Sequence, residues 1–178
     1  ALFGGKPLRS RPFTAWPIFG QPEEKRLLRT LHSGKWGKLN GPEVAEFERR
    51  FAAMHGCKHG IGVVNGTVSL RIALLAAGIR AEDEVIVPTY TFFSTASAVI
   101  EANAVPVFVD IDLNTFNLDP KAVAAAITPR TRAIVTISPN NPTGAVYPEA
   151  DLRAVNALCA EHGLVHITDE VYEYFTYG

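Results

Sequence analysis

The stretch that decides the fold is Glu84-Val85-Ile86-Val87-Pro88-Thr89-Tyr90-Thr91-Phe92-Phe93-Ser94-Thr95-Ala96-Ser97-Ala98-Val99-Ile100-Glu101-Ala102-Asn103-Ala104-Val105-Pro106-Val107-Phe108-Val109. It holds a short β-branched run, an aromatic loop, a segment from Ser94 to Asn103 with helical patterning, and a second β-branched run. Two strands joined by a helix lie parallel in one sheet, because only a long crossover can return the chain to the same end. The same alternation extends on both sides. Further strands are predicted at Ile61–Val64, Ala133–Ile137 and Leu164–Thr168, in addition to Glu84–Val87 and Val105–Val109. Helices are predicted from about Thr67 to Ala77, Pro120 to Ile127 and Pro148 to His162. Asp119 is a good N-cap ahead of Pro120. The fold class is therefore α/β, three layers α/β/α around a mainly parallel sheet.

Upstream the pattern is different. An irregular entry (Pro7, Pro12, Phe13, Trp16, Pro17) leads into a short amphipathic helix over Glu23–His32 with Leu27, Leu28 and Leu31. A loop from Ser33 to Gly41 follows, and then a helix from Pro42 with Val44, Phe47, Phe51 and Met54 on one face, stopped at Gly56. We therefore divide the chain into an arm, short helix and loop at 1–41 and a sheet domain at 42–178.

Composition narrows the function. The chain has 178 residues, 47% hydrophobic, with 17 basic and 18 acidic side chains and a formal net charge of -1. Charges of both signs are interspersed, so no basic footprint for nucleic acid or an anionic membrane is expected. No apolar run approaches the ~20 residues of a membrane helix, and the first residues carry no secretion-signal pattern. A cytoplasmic protein is the expectation. Cys57 and Cys159 are too few for a disulfide framework and read as buried thiols. His55, Cys57 and His59 lack a second cluster at ligand spacing, so no metal site is expected.

In open α/β sheets, ligands gather beyond the carboxyl ends of the strands. Asn65-Gly66-Thr67 runs into a helix, where backbone N–H groups and the Thr67 hydroxyl suit a phosphate; a plain turn and cap would use the same residues. Tyr90, Phe92 and Phe93 crowd the next strand end, where one ring could stack on a flat heteroaromatic ligand. Ser138-Pro139-Asn140-Asn141-Pro142-Thr143-Gly144 is a stiff turn that presents an asparagine amide at a fixed place, although an ordinary Asn-Pro turn accounts for the same text. Asp169 directly follows a strand that reads as buried, and a carboxylate there needs a cation or good donors. A protonated ring nitrogen would serve; capping a following helix is the alternative. Asp110 and Asp112 alternate along a strand end and do not form a catalytic carboxylate pair.

Together these contacts are those required by pyridoxal 5'-phosphate. Residues from about Trp16 to Val135 resemble the DegT/StrS-type sugar aminotransferase and 3-amino-5-hydroxybenzoate synthase branch of the fold-type I pyridoxal-phosphate enzymes. The matching text is Gly41-Pro42-Glu43-Val44, Phe47-Glu48, Asn65-Gly66-Thr67, Asp83-Glu84-Val85-Ile86-Val87-Pro88, Thr91-Phe92 and Pro106-Val107-Phe108-Val109-Asp110-Ile111-Asp112. Downstream, Ser138–Gly144 and Asp169-Glu170-Val171-Tyr172 are similar to class I enzymes of the aspartate-aminotransferase kind. The change falls near Ala133, which suggests a chimeric, recombined or truncated chain.

The resemblance implies specific roles. Gly66 and Thr67 would bind the phosphate, Phe92 would stack on one ring face, and Val171 would pack on the other. Asn141 and Tyr172 would hydrogen-bond the phenolate oxygen, and Asp169 would pair with the pyridine nitrogen. The implied chemistry moves an amine from an amino-acid donor to a keto or aldehyde acceptor, in a homodimer whose partner lies near Trp36 and Lys38. The family's Schiff-base lysine would follow the last strand. The lysines here are Lys6, Lys25, Lys35, Lys38, Lys58 and Lys121, so no catalytic residue is assigned and an incomplete large domain is expected. Two family strands that would separate the first strand from the fifth are also missing, which would leave a gap or open edges. A noncatalytic module binding a phosphate ligand or another chain is the competing expectation.

Overall fold

The computed structural model describes residues 3–176. It falls into two compact units, one up to Gly62 and one from Val63 onward. The first unit carries α1 (Gln21–Ser33) and α2 (Glu43–Met54). Its helices are joined by charge: Glu43 accepts from Arg26 and, at 2.8 Å, from Arg29. Glu48 pairs with Lys38 and also accepts the Gly62 N–H at 2.8 Å. Among the described residues of this unit only Ala52 is buried. Phe47 and Phe51 stack with ring centroids 5.6 Å apart, and with Met54 they line an open groove of about 440 Å³.

The second unit contains α3 (Gly66–Ala76), β1 (Glu84–Pro88), α4 (Ser94–Glu101), β2 (Val105–Val109), α5 (Pro120–Ala126), β3 (Thr131–Ile137), α6 (Glu149–His162) and β4 (Val165–Asp169). The strands form one sheet in the order β2-β1-β3-β4, and every neighbouring pair is parallel. Side-chain alternation along the strands builds two apolar layers from one sheet. Val85 and Val87 of β1 join Val135 and Ile137 of β3 against Leu70 and Leu74 of α3 and Ala98 and Val99 of α4. Ile86 and Ile134 face the other way, onto Val123 of α5 and Val155 and Cys159 of α6. The three-layer α/β/α expectation is thereby met.

Three sequence expectations are corrected. The strand ahead of Asp169 is not buried: β4 lies at the sheet edge and each of its residues is half-buried or exposed, because only one of its edges meets another strand among the described residues. Ile61–Val64 forms no strand, and Ile61 and Val64 are exposed. A strand exists through its ladder, and among the described residues no other strand pairs with this segment. Cys57 is exposed, because it lies just past the Gly56 stop of α2, off the apolar face; only Cys159 is a buried thiol. The predicted Asp119 cap is present and accepts the Lys121 N–H at 2.9 Å.

Most buried polar side chains of this unit are partnered, the exceptions among the described residues being Asn117 Oδ1 and Asn140 Oδ1. Glu84, at the amino end of β1, is held below the usual carboxylate range by the Thr128 hydroxyl and by Arg130. His166 of β4 lies between Asn156 and Thr136, with Nδ1 2.8 Å from Asn156 Oδ1 and Nε2 2.9 Å from the Thr136 hydroxyl. An amide oxygen only accepts, so Nδ1 carries the proton and Nε2 accepts from Thr136. Burial pushes the imidazole below its ordinary value of 6.5, partly opposed by the nearby Glu170 carboxylate. The folded state therefore binds fewer protons than the unfolded chain just below pH 6.5. The stability due to neutral His166 is fully present above that pH and is lost as pH falls through the lowered folded value. Melting curves between pH 5 and 7.5 should show a steeper acid decline for the wild type than for His166→Gln. Parallel declines would disprove this.

Candidate active site

The carboxyl ends of β1, β3 and β4 lie side by side, and the loops beyond them carry most of the expected ligand contacts. At the start of α3, Asn65 is the N-cap, with extended backbone and a side chain that accepts the Val68 N–H at 2.9 Å. That cap leaves the Gly66 and Thr67 N–H groups without an acceptor among the described residues. Both sit at the positive end of the helix dipole. A Cβ on Gly66 would meet nothing within 4 Å, so there is open space at this terminus.

After β1 the chain is pinned around Phe92. The Tyr90 carbonyl accepts from Asn140 Nδ2 at 3.2 Å, the Thr91 and Thr95 hydroxyls lie 3.1 Å apart, and the Phe92 carbonyl accepts the Thr95 N–H at 3.1 Å. The Phe92 ring is 45% exposed and tilts against Phe93 at 4.6 Å between centroids. It therefore keeps part of its surface open to a ligand.

After β3 the turn closes on itself. The Asn140 N–H donates to the Ala145 carbonyl at 2.8 Å, and the Gly144 N–H donates to the Asn140 carbonyl at 2.7 Å. Gly144 has φ +72°, a conformation that favours glycine. Asn141 is half-buried, and its side-chain amide bonds no described residue. Asn140 beside it is buried; its Nδ2 makes two bonds, while its Oδ1 has no partner among the described residues.

Asp169 is the last residue of β4, in register with Ile137 of β3. Burial pushes its carboxyl above the ordinary value, and the nearby Glu170 carboxylate raises it further; the Val171 N–H, at a long 3.4 Å, opposes both. No cation among the described residues pairs with it. A single distant N–H makes a poor helix cap, and a turn, not a helix, follows. What the carboxylate lacks is a positive partner. Val171 is 66% exposed, and Tyr172 packs edge-on against Phe175 at 6.2 Å.

The donor set suits pyridoxal phosphate: free helix N–H groups for the phosphate, a partly exposed aromatic ring, a free amide, and a half-buried carboxylate without a cation. Hydrogen bonding joins the Phe92 loop directly to the Asn141 turn, and the β3–β4 ladder carries Asp169 alongside. The sequence reading missed Asn65 as the cap that frees Gly66 and Thr67, although an Asn before Gly-Thr was a visible signal. It also missed Asn140, because adjacent asparagines do not announce which one turns inward. Asp112 accepts from Asn114 and Thr115 N–H groups at 2.8 and 2.9 Å, which makes it a turn residue. Among the described residues no three His, Cys, Asp or Glu side chains gather as a metal site, and no helix is long and apolar enough to cross a membrane.

Known proteins resemble this chain in sequence and in fold. The chain is 45% identical to L-glutamine:2-deoxy-scyllo-inosose aminotransferase of Streptomyces kanamyceticus, over 95% of this chain and 39% of that protein. The crystal structure of 3-amino-5-hydroxybenzoic acid synthase superposes with a TM-score of 0.80 at 42% identity, covering 89% of this chain and 40% of that one. An aromatic aminotransferase from Pyrococcus horikoshii matches at 38% identity and TM-score 0.59 over 63% of this chain and 30% of that one. The chain thus spans about two fifths of the length of the first two of these relatives. The DegT/DnrJ/EryC1/StrS aminotransferase model matches residues 19–171, a span that includes both the Gly66-Thr67 and the Asp169 ends of the site. Matched over that span, the chain belongs to the DegT/DnrJ/EryC1/StrS aminotransferase family, whose cofactor is pyridoxal phosphate.

Proposed function

We propose that this chain supplies the cofactor-binding part of an aminotransferase that passes an amine from an amino acid, L-glutamine being the donor named for the S. kanamyceticus relative, to a keto-sugar-like or other keto or aldehyde acceptor. The observation that carries the reading is Asp169, a half-buried carboxylate with no cation among the described residues.

The bound cofactor would supply an electron-poor ring that accepts the pair left when a proton departs from the donor's α-carbon. The residues of this chain hold and tune it. Asp169 keeps a proton on the ring nitrogen. Phe92 covers one face and Val171 the other, which excludes water from the ring. The Asn141 amide and Tyr172 hydroxyl donate to the ring's oxygen, and Gly66, Thr67 and the α3 terminus grip the phosphate. The exposed apolar face of α2 and the loop carrying Trp36, 69% exposed, and Lys38 form the surface for a second copy of the chain.

The test adds pyridoxal phosphate to the purified chain and to any longer protein that contains it. Saturable 1:1 binding with a visible circular-dichroism band is expected, together with a dimer by light scattering at micromolar concentration. With the longer protein, L-glutamine should convert the band. Absence of saturable binding would refute the cofactor role, and a monodisperse monomer would refute the dimer.

A further inference from the structure

We infer that Asn140, next to the residue that contacts the cofactor, is a positioning residue that locks the spacing between the Phe92 ring and the Asn141 amide. The inference rests on the cofactor reading above and adds a residue to it. Asn140 is 4% exposed and its Oδ1 has no partner among the described residues, so burying this amide is costly and only the bonds of its Nδ2 offset that cost. Its Nδ2 donates to the Tyr90 carbonyl at 3.2 Å and to the Thr143 hydroxyl at 3.1 Å. The orientation of the amide is fixed chemically, since the Tyr90 carbonyl can only accept and so must face the NH₂ group. One side chain thus ties the loop after β1 to the turn after β3.

Both ends of this tie continue into the site. On the β1 side, Tyr90 lies two residues before Phe92, and the Thr91–Thr95 hydroxyl contact and the Thr95 N–H bond fix the remainder of that loop on α4. On the β3 side, the Thr143 hydroxyl also accepts the Ala145 N–H at 3.1 Å, and the Asn140 backbone bonds Ala145 and Gly144, so Asn141 projects from a closed turn. Without the tie the two loops have no other hydrogen bond to each other among the described residues. A contact that must be accurate on both a ring face and a ring oxygen depends on that spacing.

The test is a double-mutant cycle on pyridoxal-phosphate affinity with Asn140→Ala, Asn141→Ala and the pair. Each single change is expected to weaken binding about tenfold, the loss of one or two hydrogen bonds. The pair should be little worse than Asn141→Ala alone, because Asn140 acts through its neighbour. Multiplying effects, or unchanged affinity in Asn140→Ala, would overturn the inference. If Asn140→Ala does not fold, Asn140→Ser, which keeps one donor, takes its place in the cycle. If the wild type binds no cofactor, the cofactor reading fails first, and amide exchange then decides the tie by itself. Exchange should quicken about tenfold in both 89–95 and 140–145 for the Asn140 variant. Faster exchange in only one of these segments, or in neither, would overturn the tie.

Discussion

Asp169→Asn is expected to weaken pyridoxal-phosphate binding by about 30-fold or more, while raising the thermal stability of the cofactor-free protein at neutral pH. With the ring seated over it the pair would be shielded from water, and removing one member of a buried hydrogen-bonded charge pair costs roughly 2–5 kcal/mol of binding. Asparagine has the shape of aspartate but cannot hold a proton on a ring nitrogen through charge. The stability change has the opposite sign, and the carboxyl's raised pKa gives the reason. A carboxyl that titrates higher in the folded state than in the unfolded chain favours folding most at low pH. That contribution declines as pH rises from the ordinary value of 3.8 through the folded value, leaving a half-buried charge without a cation among the described residues at pH 7. Asparagine removes that cost. Equilibrium dialysis for affinity and calorimetry on the cofactor-free protein read the two effects separately. Were Asp169 merely a turn residue, asparagine could accept the Val171 N–H equally well, and the affinity would not move.

The other large effect belongs to the core. Ile134→Ala should cost ~2–5 kcal/mol, since the residue is fully buried and the hole left behind cannot collapse easily. β3 lies between β1 and β4, and Ile134 meets Val123, Val155 and Cys159 from the two helices on that face. Set against a typical total of about 5–15 kcal/mol, the loss is large. The urea midpoint should fall with an unchanged slope. Val105→Ala on the edge strand β2, where the side chain is 40% exposed, is the matched control and should cost under about 1 kcal/mol. Equal losses at the two positions would show that the core is not organised around β3.

The sheet and its helices were legible because their signals are local. Val85-Ile86-Val87 is apolar at every position, as a strand covered on both faces must be, and Asp119-Pro120 marks a helix start within two residues. Ile61-Gly62-Val63-Val64 carried the same local signal and misled, since strand formation depends on a partner that composition does not reveal. The site divided in a similar way. Asp169 stood out because a carboxylate after an apolar run is chemically awkward wherever it lies. Asn140 did not, because its importance comes from Tyr90, fifty positions earlier in the chain, and no window of sequence contains both.

β4 bonds β3 along one edge, and its other row of peptide groups meets no strand among the described residues. Asp169 closes that strand and is half-buried there. A further strand laid along that edge would dry it and strengthen its preference for a cation. By thermodynamic reciprocity, whatever factor the added strand contributes to cofactor affinity, the cofactor must return to the docking of that strand.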